Sequence, residues 1–195
     1  MKKFNNEQLE EIIENPMSND TITKYLPDAI IKSYDELKKY NNIDELLPDR
    51  ADYCIILYTT SPNNGHWTAL IKYAPINGQK GVIEYFDSYG NPVDFPLKWI
   101  GKGTAPMLGI TAPYLSNLLF KNNPYTVISN SRKYQNIKNP DIATCGRHCV
   151  NRVINFIGKK SSLDEYHEMM DNMKNKYKEN YDDIVARLIN IKDKD

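Results

Sequence analysis

An α+β fold is predicted, with a central sheet rich in antiparallel pairing and helices packed on it. Two patterns carry that expectation. Between residues 53 and 89 three runs rich in β-branched and aromatic residues are joined by turn-forming stretches, and the segments on either side repeat their apolar residues at helical spacing. At 195 residues the chain can bury a core without staples and fits a single domain.

Residues 6–48 read as short helices. NEQLEEIIEN places Leu9, Ile12 and Ile13 on one side, NDTITKYLPD follows, and SYDELKKY starts at Ser33, a cap residue. These make an N-terminal helical accessory region over 1–50. The strands come next, as YCIILY (53–58), HWTALIKY (66–73) and VIEYFDSY (82–89), punctuated by SPNNG and PINGQKG. Connections this short join antiparallel neighbours, so the three form a meander. If Asn77-Gly78 is a two-residue turn, Ile76 faces Gln79, and His66 falls opposite Tyr89.

A proline-rich stretch over 90–124 contains a helix, PYLSNLLFK, and YTVIS (125–129) is a further strand. A core helix follows over 145–157. Thr144 is its candidate cap, Gly158 its stop, and Cys149, Val150, Val153, Ile154 and Ile157 lie along one side. The tail, 159–195, has a capping pattern at SSLDEYHEMM and a final amphipathic stretch, YDDIVARLINI.

Composition narrows the function. Lys plus Arg and Asp plus Glu are 25 each, so the net charge is zero, which speaks against a general nucleic-acid or membrane-surface role. Cys54, Cys145 and Cys149 make an odd count without a spaced framework, as expected of a reducing compartment. The opening MKKFNNEQLEEIIENPMS has no apolar run of a secretory signal, and nothing later approaches the ~20 apolar residues of a membrane span. Cys149 with His148 would need a further ligand to hold a metal, so neither metal nor cofactor is expected.

The chemistry gathers around Cys145. At a helix N-terminus a thiol meets unpaired backbone N–H groups and the positive end of the helix dipole, and both favour the thiolate. Gly146 lets a substrate backbone come close. The other reading of such a cysteine is a buried small apolar residue, and Cys149 fits that better. A nucleophilic thiol needs a base, and His66, His148 and His167 are the histidines of the chain. His167 lies in a charged helix, where solvation is the default. His148 is three residues past Cys145 on the same helix but has no evident orienting carboxylate. His66 opens a strand after a turn, a position from which a sheet presents catalytic groups.

In the hairpin register Asp87 is a diagonal neighbour of His66 on the same face, about 7–8 Å away between α-carbons. It can fix the imidazole tautomer there, or simply cap the DSYGNP turn. The opposite face, with Trp67, Ala69, Ile71 and Tyr73 against Val82 and Phe86, is the more apolar one and is expected to pack on the helices, leaving His66 and Asp87 on a cleft. Gln135, ten residues before Cys145, is either a surface amide or an oxyanion donor.

Taken in chain order, GHWTALI, YFDSYG, YQ and TCGRHCV resemble the adenain/Ulp1-type cysteine peptidases, and within them the maturation proteases of virophages and Polinton-like elements. The resemblance covers about residues 52–157 and implies a papain-like catalytic core over 51–158 with His ahead of Cys. It implies His66 as general base, Asp87 as orienting carboxylate, Cys145 as nucleophile and Gln135 as oxyanion donor, with Trp67 bracing the imidazole and lining the substrate channel beside Gly146. The interval from Gln135 to Cys145 is ten residues, against about six or seven in that family. The implied substrates are capsid or core precursor proteins cut at Gly-X sites, in the virion or the host cytoplasm, by a monomer with an activating peptide as a possible partner. The same residues would serve an isopeptidase acting on a ubiquitin-like modifier, or an acyltransferase of the YopJ kind.

Overall fold

In the computed structural model, which describes residues 4–49, 51–61, 64–75, 78–101, 103–121 and 124–190, helices α1 (Asn6–Glu14) and α2 (Asn19–Tyr25) lead into strand β1 (Ile30–Ser33), a 3-10 helix (Tyr34–Lys39) and α3 (Ile43–Leu46). Strands β2 (Tyr53–Ser61), β3 (Asn64–Tyr73) and β4 (Val82–Asp87) follow, then a second 3-10 helix (Phe95–Trp99), α4 (Thr104–Met107), α5 (Tyr114–Phe120) and β5 (Thr126–Ser129). The chain ends in α6 (Cys145–Lys159), α7 (Leu163–Tyr177) and α8 (Tyr181–Leu188). It divides into two compact units, Ala29–Ser131 and Met1–Asp28 with Arg132–Asp195.

The unit Ala29–Ser131 holds a five-stranded sheet in the order β1-β2-β3-β4-β5. Its centre is the expected meander, with β2, β3 and β4 antiparallel; β1 and β5 are added in parallel at the two edges. The hairpin register is the one that alternation and the Asn77-Gly78 turn predict, since Thr68 pairs with Asp87 and Tyr73 with Val82. The turn itself falls partly on residues 76 and 77, outside the described residues.

Alternation in that register settles what each face meets. Cys54, Ile56, Tyr58, Leu70, Ile83 and Tyr85 share the face of His66 and Asp87, and they pack with Tyr34 and Leu37 of the first 3-10 helix, Ile43 and Leu46 of α3, and Leu115, Leu118 and Leu119 of α5. The expected division between an apolar face and an open polar one therefore fails. Most of the His66 face is core, and the dyad occupies one end of it. Tyr58 and Tyr85 obscure this in the sequence, because a tyrosine buries its ring and keeps a hydroxyl that looks polar.

IIKS is a strand that the helical reading of 6–48 misses. Four residues are too few to show alternation, and parallel pairing of Ile30 with Cys54 is what defines the strand. At Ser33 the chain turns into the 3-10 helix through a capping box with Glu36.

The unit of the two chain ends is helical. The apolar stripe of α1, Leu9, Ile12 and Ile13, packs with Ala186 of α8. Helix α6 buries Cys149, Val150, Val153 and Phe156 and runs past Gly158 to a left-handed cap at Lys160 (φ 51°). The capping box predicted ahead of α7 is present between Ser162 and Glu165. Among the described residues no helix is long and apolar enough to cross a membrane.

Candidate active site

His66 is positioned by the glycine before it. A Cβ on Gly65 would stand 2.6 Å from Leu57 Cδ1 and 2.9 Å from the Tyr58 carbonyl oxygen, so only glycine lets β2 and β3 close at this point. The imidazole is 4% exposed and the Asp87 carboxylate is fully buried, with His66 Nε2 and Asp87 Oδ1 2.9 Å apart. Asp87 Oδ1 also accepts the Tyr89 backbone N–H at 2.7 Å, and the Asn130 amide donates to the Asp87 carbonyl at 2.7 Å. A single oxygen of Asp87 thus meets both the imidazole and the N–H of the turn.

Two aromatic rings hold the imidazole. Tyr89 stacks on it with centroids 4.7 Å apart and planes 16° from parallel, and Trp99 meets it edge-on at 5.3 Å. A tyrosine face stabilises an imidazolium as the carboxylate does, so both neighbours favour the protonated base. Trp67 follows His66 in β3, and the pleat turns it to the other face, where it is 5% exposed. Nothing in HWTALIKY reveals Tyr89 and Trp99; the opposition of His66 to Tyr89 in the hairpin was the one available signal.

In the other unit, Cys145 is the first residue of the fifteen-residue helix α6 and is 7% exposed. Backbone N–H groups in a first helical turn lack partners within the helix, and here they belong to Cys145, Gly146 and Arg147. Thr144 does not cap them: its hydroxyl donates to Asp182, far along the chain in α8. Arg147, unremarked in the sequence, is 4% exposed and donates to the Asn15 carbonyl. Burial lowers its pKa to about 10, and the charges of Tyr25 and Cys145 oppose that shift. By reciprocity its guanidinium favours a thiolate at Cys145.

Gln135 is 4% exposed rather than a surface amide, and its Nε2 donates to the Ile142 carbonyl at 2.8 Å, closing the long interval before Cys145 into a loop. His148 does have a carboxylate partner: its Nε2 lies 3.2 Å from Asp182 Oδ1. Its Nδ1 is buried without a hydrogen-bond partner, so it does not serve the neighbouring thiol. His167 is half-buried and bonded through Nδ1 to the Tyr134 hydroxyl. Among the described residues no group of three or more His, Cys, Asp or Glu could hold a metal ion.

The sheet and these residues define an α+β protein that carries a buried imidazole–carboxylate dyad on its sheet and a cysteine at the head of a long helix. The comparisons with known proteins give it relatives. No protein-family model matches. The chain is 35% identical to the uncharacterised protein V9 of Sputnik virophage over 173 residues, 88% of this chain and 93% of the relative. It belongs to the family of that virophage protein. Among solved structures it is similar to the ASFV pS273R protease (14% identity, TM-score 0.41, 78% of this chain covered) and to a de-sumoylating protease (12%, TM-score 0.44, 96% covered). The chain spans 64% of the former and 87% of the latter.

Proposed function

We propose that the protein is a cysteine endopeptidase in which Cys145 is the nucleophile, His66 the general base, Asp87 its orienting carboxylate and Gln135 an oxyanion donor. The observation that carries this reading is the buried His66–Asp87 bond: a desolvated imidazole with one nitrogen fixed by a carboxylate is the arrangement that proton transfer requires. Asp87 engages Nε2, so Nδ1 takes the thiol proton. The thiolate, favoured by the helix dipole and Arg147, attacks a peptide carbonyl, and the oxyanion is met by the Gln135 amide and first-turn N–H groups. His66 Nδ1 then returns its proton to the leaving amine. Water, deprotonated by the same nitrogen, hydrolyses the thioester and regenerates the thiol.

Gly146 and Trp67 line the channel for the substrate backbone, which selects small residues of the Gly-X type. The substrates are capsid or core precursor proteins cut during virion maturation, in the virion or the host cytoplasm. Membership of a family that includes a virophage protein supports the viral setting. The test is intact-mass analysis of candidate precursors after incubation with wild type and Cys145→Ala. Cleavage by wild type alone at a small-residue site establishes the activity. If the precursors stay whole and a ubiquitin-like modifier probe is cut instead, the protein is an isopeptidase and the precursor assignment falls.

A further inference from the structure

Asp182 lies in the first turn of α8, 3% exposed, and its partners come from one segment. Oδ1 accepts the Thr144 hydroxyl and lies 3.2 Å from His148 Nε2, while Oδ2 accepts the Asn136 backbone N–H at 3.1 Å. Thr144 and His148 bracket Cys145 in the chain, and Asn136 follows Gln135 directly. Acidic residues suit any helix N-terminus, but that preference asks for neither burial nor foreign partners. Helix α8 does not need Asp182 for its start, because the Asn180 side chain already caps it by accepting the Asp183 N–H at 2.9 Å. A buried carboxylate is costly unless hydrogen bonds compensate it, and here they all lead to the 136–148 segment that contains Cys145.

We infer that Asp182 is a positioning residue: from α8 it pins both ends of the 136–144 loop and so sets the Gln135 amide and the Cys145 thiol in one fixed arrangement. The inference rests on the peptidase reading for the roles of those two groups. It makes the C-terminal tail part of the catalytic apparatus without touching substrate. The Gln135–Ile142 bond ties the loop internally, and Asp182 ties it to the fold, so neither alone holds the donor and the nucleophile together.

The test compares Asp182→Ala, Asp182→Asn and Thr144→Val in the full chain, using a peptide copied from a site that wild type cleaves, alongside amide hydrogen exchange over 136–148 and thermal melting. Asp182→Ala should lower kcat about tenfold to a hundredfold with KM within about twofold, the signature of misplaced reacting groups. Asp182→Asn should keep more activity, since its amide oxygen still accepts from Thr144 and His148. Exchange at Asn136 should quicken in both variants. Thr144→Val, which leaves two bonds in place, gives a milder loss and covers the case in which Asp182→Ala does not fold. A folded Asp182→Ala with wild-type kcat and unchanged exchange overturns the inference. So does an equal loss in both Asp182 variants without a change in exchange, which would assign the effect to charge. If wild type turns nothing over, the peptidase reading falls by itself, and the exchange comparison still decides whether Asp182 tethers the loop.

Discussion

Replacing Asp87 by Asn separates the charge of this residue from its hydrogen bonds. Oδ1 accepts the Tyr89 N–H at 2.7 Å and pairs with His66 Nε2 at 2.9 Å, in a site with no exposure. An amide oxygen in the same place keeps both contacts, so stability should fall by no more than about 1 kcal/mol. Asp87→Ala instead strips the acceptor from one buried and one part-buried donor, at up to about 1–3 kcal/mol each and so at most about 2–6 kcal/mol together.

Activity should follow a different order from stability. What Asn loses is the charge that stabilises the imidazolium and the firm hold on its tautomer, and in the Ser-His-Asp template the same substitution costs on the order of 10⁴-fold, chiefly through the wrong tautomer. A thiol is more acidic than a hydroxyl and needs less help, so a loss of about 10²-fold or more is expected of Asp87→Asn, with a small residue of activity left. Initial rates on a cleaved peptide, set beside urea unfolding of wild type, Asn and Ala variants, read the two effects separately. An Asp87→Asn protein that is folded and turns over within about threefold of wild type would refute the reasoning, because the carboxylate would then be only a turn cap.

Native-state alkylation with iodoacetamide should mark Cys145 and spare Cys54 and Cys149, which have no exposure, the Cys54 thiol being pushed further from reactivity by burial; peptide mapping decides it. Arg147→Met should move the pH at which Cys145 alkylation becomes fast upward, since a buried cation coupled to the thiolate is lost; an unchanged pH profile would remove Arg147 from the site. Gly65→Ala should cost about 1–3 kcal/mol, because the new Cβ runs into Leu57 and the Tyr58 carbonyl, and the shift it forces at His66 should lower turnover as well; a wild-type melting curve would contradict this. The Glu36 carboxyl is held below its ordinary value of 4.5 by the Ser33 N–H it accepts, with Lys32 and Lys39 beside it. A depressed carboxylate pKa contributes stability that is full above the ordinary value and lost as pH falls below it, so Glu36→Gln should be less stable by under about 1 kcal/mol at neutral pH and no less stable in acid, as urea midpoints at the two pH values would show.

What could be read from the sequence was whatever a single turn propagates. Fixing Asn77-Gly78 as the hairpin turn fixes every pairing in β3 and β4, and so brings His66 to Asp87 across a separation of 21 residues without any knowledge of the rest. Caps and apolar stripes are equally local, which is why α1 and α7 were legible, and why the existence of α6 was, although Thr144 does not cap it and Gly158 does not stop it. The edges were not: IIKS becomes a strand only because β2 lies beside it, and the face of His66 becomes core only because the first 3-10 helix, α3 and α5 cover it.

The same limit explains the misreading of α6. Thr144 looks like a cap and His148 looks unpartnered as long as only neighbours in sequence are considered. Both are bound by one carboxylate that enters from α8, 34 residues beyond His148 and 46 beyond Asn136. No periodicity connects YDDIVARL to TCGRH, since a lone Asp in a first turn is what any helix start favours. A cysteine at a helix start and a histidine beside an aspartate in a hairpin belong to short-range patterns and can be found from the sequence. The groups that hold the Cys145 segment in place belong to packing, and an Asp whose capping role is already filled by Asn180, yet which is buried, is the kind of residue where that second layer can be sought.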